Sequence, residues 1–181
     1  MKYKICVSGA AKTGHCKDGT LEKAKQVGKE IAKHDAVLLT GATTGAPYWS
    51  AIGAKEEGAM SIGFSPANSE KEHEEDYEMP TDKFDLIMYT GFGYSARNLL
   101  LMRAADAVIF ICGRTGTLNE FTICYEDGRI GGVLEGTGGT SDMIKDILEK
   151  SNKEGPEVIY DEEPDKLVER LVKLIDKKKN N

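Results

Sequence analysis

Short apolar runs typical of β-strands alternate with helix-like segments along almost the whole chain. Parallel strands need a crossover between them, and a helix is the usual crossover. The alternation therefore predicts an α/β fold: one doubly wound, mostly parallel Rossmann-like sheet with helices on both faces. The predicted strands are 3–8, 36–40, 60–64, 84–90, 107–112, 130–134 and 157–160. The predicted helices are 20–34, 47–58, 95–105, 117–126, 141–150 and 164–177.

We expect one Rossmann-like nucleotide-binding domain over residues 1–181, because this length supports one substantial core and no linker or repeat divides it. The acidic stretch 69–78 is expected to be a solvated loop or a short exposed helix, since its charge density favours water. Residues 177–181 are expected to be a frayed tail.

Glycine-rich loops follow five of the predicted strands. They contain Gly9 and Gly14, Gly41 and Gly45, Gly91 and Gly93, Gly113 and Gly116, and finally Gly136, Gly138 and Gly139. Carboxyl ends of parallel strands share one edge, where doubly wound folds bind ligands, and glycine lets a ligand approach the backbone closely. One such loop is ordinary turn chemistry, but five on one edge favour a nucleotide or another phosphorylated small molecule as the partner.

The segment Cys112-Gly-Arg-Thr-Gly-Thr-Leu-Asn-Glu120 is the most specific functional indication. A buried strand is predicted to end here in a glycine turn, and a helix begins at once. Backbone N–H groups at a helix start attract anions, so the segment predicts a phosphate cradle. The expected phosphate- or nucleotide-binding residues are Gly9, Gly41, Gly45, Gly113, Arg114, Thr115, Gly116 and Thr117.

Arg97 and Glu120 are the candidate catalytic residues, because both are predicted at helix starts on this edge of the sheet. A guanidinium group suits phosphate or carboxylate geometry, and a carboxylate can orient water. Two structural alternatives stay open. Thr117 and Glu120 have the spacing of a capping box, and Arg97 is equally compatible with a surface ion pair.

Composition and motif spacing disfavour several other classes. The net charge of −6 argues against a nucleic-acid surface, and no apolar run approaches the length of a membrane span. The stretch from Gly9 to Gly14 has Walker A glycine spacing, but His15 and Cys16 replace the required Lys and Ser/Thr. No G-x-G-x-x-G motif is present, and His15–Cys16 lacks a partner ligand pair, so no cofactor and no metal are predicted.

The four cysteines, Cys6, Cys16, Cys112 and Cys124, form no CxxC pair and no regular framework. In a domain of this size they are expected to be reduced thiols. The amino-terminal residues lead directly into a strand-like run without a signal-peptide pattern, so a cytoplasmic location is expected.

Arg97, the run Ala105-Asp106-Ala107, and Gly113-x-x-Gly116-Thr117-x-x-Glu120 resemble the signature of the LONELY GUY (LOG) proteins, long mislabelled as lysine decarboxylases. The family motif is Pro-Gly-Gly-x-Gly-Thr-x-x-Glu with a preceding Arg, and the resemblance covers residues 4–174. Here Cys112 replaces the Pro and Arg114 replaces the second Gly. With these departures the sequence is more similar to that of a sister branch, which contains the molybdenum-cofactor carrier protein and uncharacterised nucleotide-binding proteins.

The resemblance implies a Rossmann-like homodimer that cleaves the N-glycosidic bond of a nucleoside 5′-monophosphate to the base and ribose 5-phosphate. It implies that Gly116 and Thr117 hold the phosphate, while Arg97 and Glu120 act at the ribose and the leaving base. The sister branch implies the alternative, a non-catalytic carrier or sensor of a phosphorylated ligand such as molybdenum cofactor.

Overall fold

A computed structural model describes residues 1–180, and it contains one sheet of seven parallel strands flanked by helices. The strands are β1 (Lys4–Gly9), β2 (Val37–Thr40), β3 (Ser61–Ser65), β4 (Leu86–Tyr89), β5 (Ala107–Ile111), β6 (Ile130–Leu134) and β7 (Val158–Asp161). The helices are α1 (Thr20–Lys33), α2 (Ala46–Glu56), α3 (Glu70–Glu75), α4 (Gly93–Ala104), α5 (Thr115–Glu126), α6 (Ile144–Ser151) and α7 (Pro164–Lys179). The predicted α/β architecture is confirmed.

Strand order places β1 at the centre of the fold. The order is β4-β3-β2-β1-β5-β6-β7, and β1 pairs with β2 on one side and β5 on the other. The chain therefore winds outward in one direction from β1 and in the opposite direction from β5. In such sheets the crossover helices leave a crevice at the point of reversal, beyond the carboxyl ends of the strands.

The core has one apolar layer on each face of the sheet. Helices α1, α2 and α7 cover one face, where Ile5, Val7 and Ile109 are fully buried. Helices α4, α5 and α6 cover the other, where Val108 and Phe110 are fully buried. Because β5 is buried on both faces, its sequence is a continuous apolar run, as expected for a central parallel strand.

Helices α1 and α2 pack closely because glycine lies at their contact. A Cβ atom at Gly28 of α1 would overlap the backbone carbonyl of Ser50 in α2, and one at Gly53 would overlap the carbonyl of Lys25. Glycine is therefore required at both positions for this backbone approach. This pair holds α2, which begins at the second glycine loop, close to the central strands.

Two local expectations have different outcomes. The acidic stretch forms the short, mostly exposed helix α3, one of the two alternatives expected for it, and the Ser69 side chain caps its first turn. The tail expected to fray from residue 177 continues as helix α7 through Lys179, so that expectation is wrong for these residues; Asn181 lies outside the described range. No helix within residues 1–180 combines the length and apolarity needed to cross a bilayer.

Candidate functional site

A cleft of about 290 Å³ lies at the carboxyl edge of the sheet, at the reversal point between β1 and β5. Its walls come from the loops after β1 and β2, from the segment after α3, and from the first turns of α4 and α5. The lining residues are Val7, Ser8, Gly9, Ala10, Ala11, Lys12, Gly41, Thr43, Thr44, Pro47, Tyr77, Glu78, Met79, Tyr94, Arg97, Asn98, Arg114, Gly116, Thr117 and Glu120.

Arg97 is a buried guanidinium group with few partners. The residue is only 3% exposed, and its Nε atom has no hydrogen-bond partner in residues 1–180. Its Nη1 atom lies 3.8 Å from Glu120 Oε1, and its Cζ atom lies 5.9 Å from the centre of the Tyr94 ring. Burying a charge is costly unless it is paired and hydrogen-bonded, so Arg97 is held ready for an additional acceptor.

Glu120 is also buried, and three neighbouring groups meet its carboxylate. The Ser8 hydroxyl donates to Oε2. The Asn98 amide, in the orientation that satisfies its neighbours, donates to Oε1 at 3.0 Å. Burial raises the pKa of Glu120, although Arg97 and the Ser8 hydrogen bond oppose that shift.

The capping-box alternative for Glu120 is wrong. Helix α5 begins at Thr115 with Arg114 as its N-cap, so Thr117 lies inside the helix and not before it. No side chain caps this helix start. Glu120 therefore points away from its own helix terminus and contacts β1, which is consistent with its place in the cleft.

The anion-attracting part of the cleft lies at the start of α5. Of the expected binding residues, the cleft is lined by Gly9, Gly41, Arg114, Gly116 and Thr117. The other three, Gly45, Gly113 and Thr115, are outside its lining. Gly113 has a supporting role, because it adopts φ +97° and a Cβ atom there would overlap the Thr117 side chain.

Lys12 and Arg114 add positive charge to the mouth of this cleft. Both side chains are exposed, and neither forms an ion pair with any carboxylate in residues 1–180. Together with Arg97 they give three cations against two lining carboxylates, Glu78 and Glu120. The balance favours an anionic ligand.

Sequence reasoning missed the aromatic wall of the cleft. The acidic stretch, expected only to be solvated, places Tyr77 against Tyr94 with ring centres 5.6 Å apart and an interplanar angle of 77°. Met79, which is buried, lines the same wall. The sequence signal was Tyr-Glu-Met at the end of a charged run, where apolar side chains interrupt an otherwise polar segment.

The expectation of four reduced thiols is wrong for one pair. Cys16 and Cys112 form a disulfide with a Cα–Cα distance of 5.8 Å, while Cys6 and Cys124 are free and buried. The His15 Nε2 atom lies 3.5 Å from Cys112 Sγ. Sequence spacing did not reveal this pair, because 96 positions separate the two cysteines.

Comparison with known proteins places this geometry among related folds. A model of the SLOG cluster4 family matches residues 2–168. An uncharacterized protein of Archaeoglobus fulgidus is 29% identical over 126 residues, which cover 70% of this chain and 78% of that protein.

Two solved structures have nearly the same length and fold. The molybdenum cofactor binding protein from the phototrophic bacterium Rippkaea orientalis is 26% identical, with a TM-score of 0.79 over 97% of this chain and 98% of that one. The molybdenum cofactor carrier protein from Chlamydomonas reinhardtii is 24% identical, with a TM-score of 0.77 over 97% of this chain and 99% of that one.

Proposed function

The chain belongs to the SLOG cluster4 family, and from that premise we propose that it binds a phosphorylated, nucleotide-like small molecule in the cleft between β1 and β5. Family membership and the solved neighbours confirm the LOG-like Rossmann resemblance of the sequence. The observation that carries the proposal is Arg97, a guanidinium group 3% exposed in the wall of a cleft, with Nε unpartnered.

The rest of the cleft supports the same class of ligand. The start of α5 offers backbone N–H groups to a phosphate, and Arg114 and Lys12 are charges without acidic partners at the cleft mouth. Tyr77 and Tyr94 form an aromatic wall suited to a planar heterocycle. A ligand with a phosphate at one end and a heterocycle at the other matches this arrangement.

Binding without cleavage is the function that the geometry supports best. The Ser8 hydroxyl donates to one carboxylate oxygen of Glu120, and the Asn98 amide, in the orientation that satisfies its neighbours, donates to the other. A carboxylate so engaged has less freedom to orient a water molecule. Since two neighbours are described as molybdenum cofactor binding and carrier proteins, we propose this cofactor as one ligand to test, in a carrier role.

Phosphoribohydrolase activity is the second candidate, favoured by the contact between Arg97 and Glu120 inside the cleft. In that reaction the C1′–N bond breaks, its electron pair leaves with the base, and an oxocarbenium-like sugar forms. The Glu120 carboxylate stabilises this cation and takes a proton from the attacking water. Because the pKa of Glu120 is raised by burial, it is better matched to proton transfer near neutral pH than an exposed glutamate is.

We also propose that the protein is a homodimer, as the resemblance implies. Several large apolar side chains are exposed on the edge strand β4, just before α4 and on α4 itself; these are Leu86, Met88, Phe92 and Leu100. A second copy would cover this surface and the unpaired edge of β4. Met88→Lys should shift the species seen by light scattering toward the monomer, and an unchanged mass would contradict this interface.

The cytoplasm is our proposed location, and cell fractionation tests it.

One experiment separates the two candidate functions. Purified protein is incubated with a panel of nucleoside 5′-monophosphates and with molybdenum cofactor, and both bound ligand and released base are measured. Arg97→Ala and Glu120→Gln are the test variants. Arg103→Ala and Glu126→Gln are matched controls, because they remove an exposed Arg and an exposed Glu from the same two helices, α4 and α5.

A carrier binds at least one ligand, releases no base, and loses affinity in Arg97→Ala by about 10- to 150-fold, as expected for a charge-assisted hydrogen bond. Release of base that disappears in Glu120→Gln establishes the hydrolase instead. Absence of binding to every ligand tested, or equal loss in Arg103→Ala, would overturn the assignment of Arg97.

A further inference from the structure

A disulfide joins two loops that frame the cleft. Neither of its cysteines lines the cleft or is among the proposed ligand contacts. Cys16 lies in the loop between β1 and α1, and Cys112 begins the turn between β5 and α5. Cys112 is fully buried, whereas Cys16 is half-buried beside an exposed His15. The Cys16 end of the bond is therefore partly exposed to solvent, and the Cys112 end is protected.

The turn at Cys112 does not depend on the disulfide for its position. Its N–H donates to Thr137 Oγ1 at 2.8 Å, and its carbonyl accepts from the Ser141 N–H at 2.9 Å. The Gly113 carbonyl accepts from the Thr140 N–H at 3.1 Å. Because these bonds hold Cys112 and Gly113 on the 137–141 loop, breaking the S–S bond leaves this side of the cleft in place.

The loop that carries Lys12 is held much less firmly. The far end of this loop is tied to the 137–141 loop by a backbone bridge between Cys16 and Gly138 and by the Lys17 N–H, which donates to the Thr137 carbonyl at 3.0 Å. From Ala11 to His15, the hydrogen bonds to the rest of the chain come from Thr44 Oγ1 to the Ala11 carbonyl and from His15 Nε2 to the Gly113 carbonyl, each at 3.1 Å. Lys12 and His15 are exposed within this segment. The disulfide is thus the covalent restraint on the loop that places Lys12 at the cleft mouth, and it adds to the backbone bridge at Cys16.

We propose that Cys16 and Cys112 are a reversible thiol–disulfide pair, oxidised by a low-molecular-weight disulfide such as glutathione disulfide, whose state controls the order of loop 11–16. Within cells, disulfides are usually catalytic or redox-sensing, and an accessible thiol beside a protected one is typical of such pairs. The role of Lys12 in ligand binding rests on the proposed function; the redox pair itself does not.

The chemistry balances without a bound cofactor. The Cys16 thiolate attacks one sulfur of glutathione disulfide, which forms a mixed disulfide and releases one glutathione. The Cys112 sulfur then attacks Cys16 Sγ, which forms the intramolecular bond and releases the second glutathione. The two glutathione thiolates that depart take up the two protons that the protein thiols give up, so no protein base is needed; His15 Nε2 donates to the Gly113 carbonyl. Two protein thiols are oxidised, and one glutathione disulfide is reduced to two thiols.

The first test measures the redox pair directly. The full chain is equilibrated at graded ratios of glutathione to glutathione disulfide, quenched in acid, denatured and alkylated, and its mass is determined. We expect two alkyl groups per chain under oxidising conditions and four under reducing conditions, because Cys6 and Cys124 are free in both states. Cys16→Ser and Cys112→Ser should each abolish the transition, while Cys124→Ser should leave it intact.

The second test measures the loop. Amide hydrogen exchange is compared between the oxidised and the reduced wild-type chain, so that the result does not depend on a variant that folds poorly. Amides of residues 12–16 should exchange at least about tenfold faster after reduction, because the crosslink no longer restrains local opening. Exchange in the turn at 112–114 should change little.

Several results would overturn the proposal. A cysteine pair that stays oxidised or stays reduced at every glutathione ratio is not reversible. Equal amide hydrogen exchange of residues 12–16 in the oxidised and reduced chain would show that the disulfide does not control the order of the loop. Stoichiometric zinc retained by the reduced chain would make His15, Cys16 and Cys112 metal ligands instead. None of these measurements needs a bound ligand, so failure here is distinguishable from failure of the proposed function.

Discussion

A single methyl group at Gly41 should disable the Arg97–Glu120 pair without changing either residue. A Cβ atom on Gly41 would overlap Arg97 Nη1 and would lie 2.9 Å from Cζ and 3.1 Å from Nη2. The backbone at this position does not require glycine, because its φ is outside the left-handed region. Since the Cβ atom would overlap Nη1, the guanidinium group must leave its present position.

Movement of Arg97 changes the electrostatics of Glu120. Nη1 is 3.8 Å from Oε1, and a pair at this distance attracts with about 4 kcal/mol at an effective dielectric constant near 20. Burial already raises the pKa of Glu120, and Arg97 is the largest opposing influence. Gly41→Ala should therefore raise the pKa of Glu120 further and weaken ligand binding by about 10- to 150-fold, the range for a lost charge-assisted hydrogen bond.

The assay is a carbon-detected NMR titration of the side-chain carboxyl groups in glutamate-labelled protein, with Glu120 assigned by its absence in Glu120→Gln. Gly116→Ala is the matched control, because a Cβ atom there meets no atom within 4 Å although the residue lines the same cleft. An unchanged Glu120 pKa in Gly41→Ala, or an equal shift in Gly116→Ala, would refute the reasoning that Arg97 is confined beside Glu120.

Three further predictions concern stability and are measured by urea unfolding. The pKa of Glu120 in the folded protein is raised above its unfolded value of about 4.3. As pH rises from that value through the folded pKa, wild type should therefore lose stability relative to Glu120→Gln, by about 1.4 kcal/mol per pH unit. A flat or opposite slope contradicts this. Ser8→Ala removes the donor to Glu120 Oε2 and should cost about 1.5–3 kcal/mol, so a loss below 0.5 kcal/mol, roughly the noise of surface changes, would contradict the bond. Gly28→Ala forces a Cβ atom onto the Ser50 carbonyl and should lower the free energy of unfolding by about 1–3 kcal/mol or more. Gly14→Ala, where a Cβ atom meets no atom within 4 Å, should change it by no more than about 0.5 kcal/mol. Equal effects of the two substitutions would contradict the close helix packing.

Much of the fold was predictable because it rests on local patterns. The continuous apolar run in β5 is typical of a strand buried on both faces, and glycine-rich loops after five of the strands marked the ligand edge. Arg97 and Glu120 were both expected on that edge, and they do meet, 3.8 Å apart. Their chemical roles remain predictions.

The aromatic wall and the helix cap could not be predicted in the same way. The charged stretch before Tyr77 is polar on average, so composition indicated solvent exposure, yet packing turns that tyrosine toward Tyr94. The spacing from Thr117 to Glu120 matches a capping box, but α5 starts two residues earlier and moves Thr117 inside the helix. Local sequence is a weak guide to helix ends, because a Thr and a Glu at this spacing also occur inside helices.

The sequence by itself determined the alternation of strands and helices, the glycine-rich edge and the candidate pair, because each depends on residues that are neighbours in the chain or on the shared direction of parallel strands. Only the tertiary structure decided which distant residues meet. Ser8 contacts Glu120 across 112 positions, and Cys16 bonds Cys112 across 96. Such contacts follow from strand order, which places β1 beside β5, and strand order is set by the packing of the whole sheet.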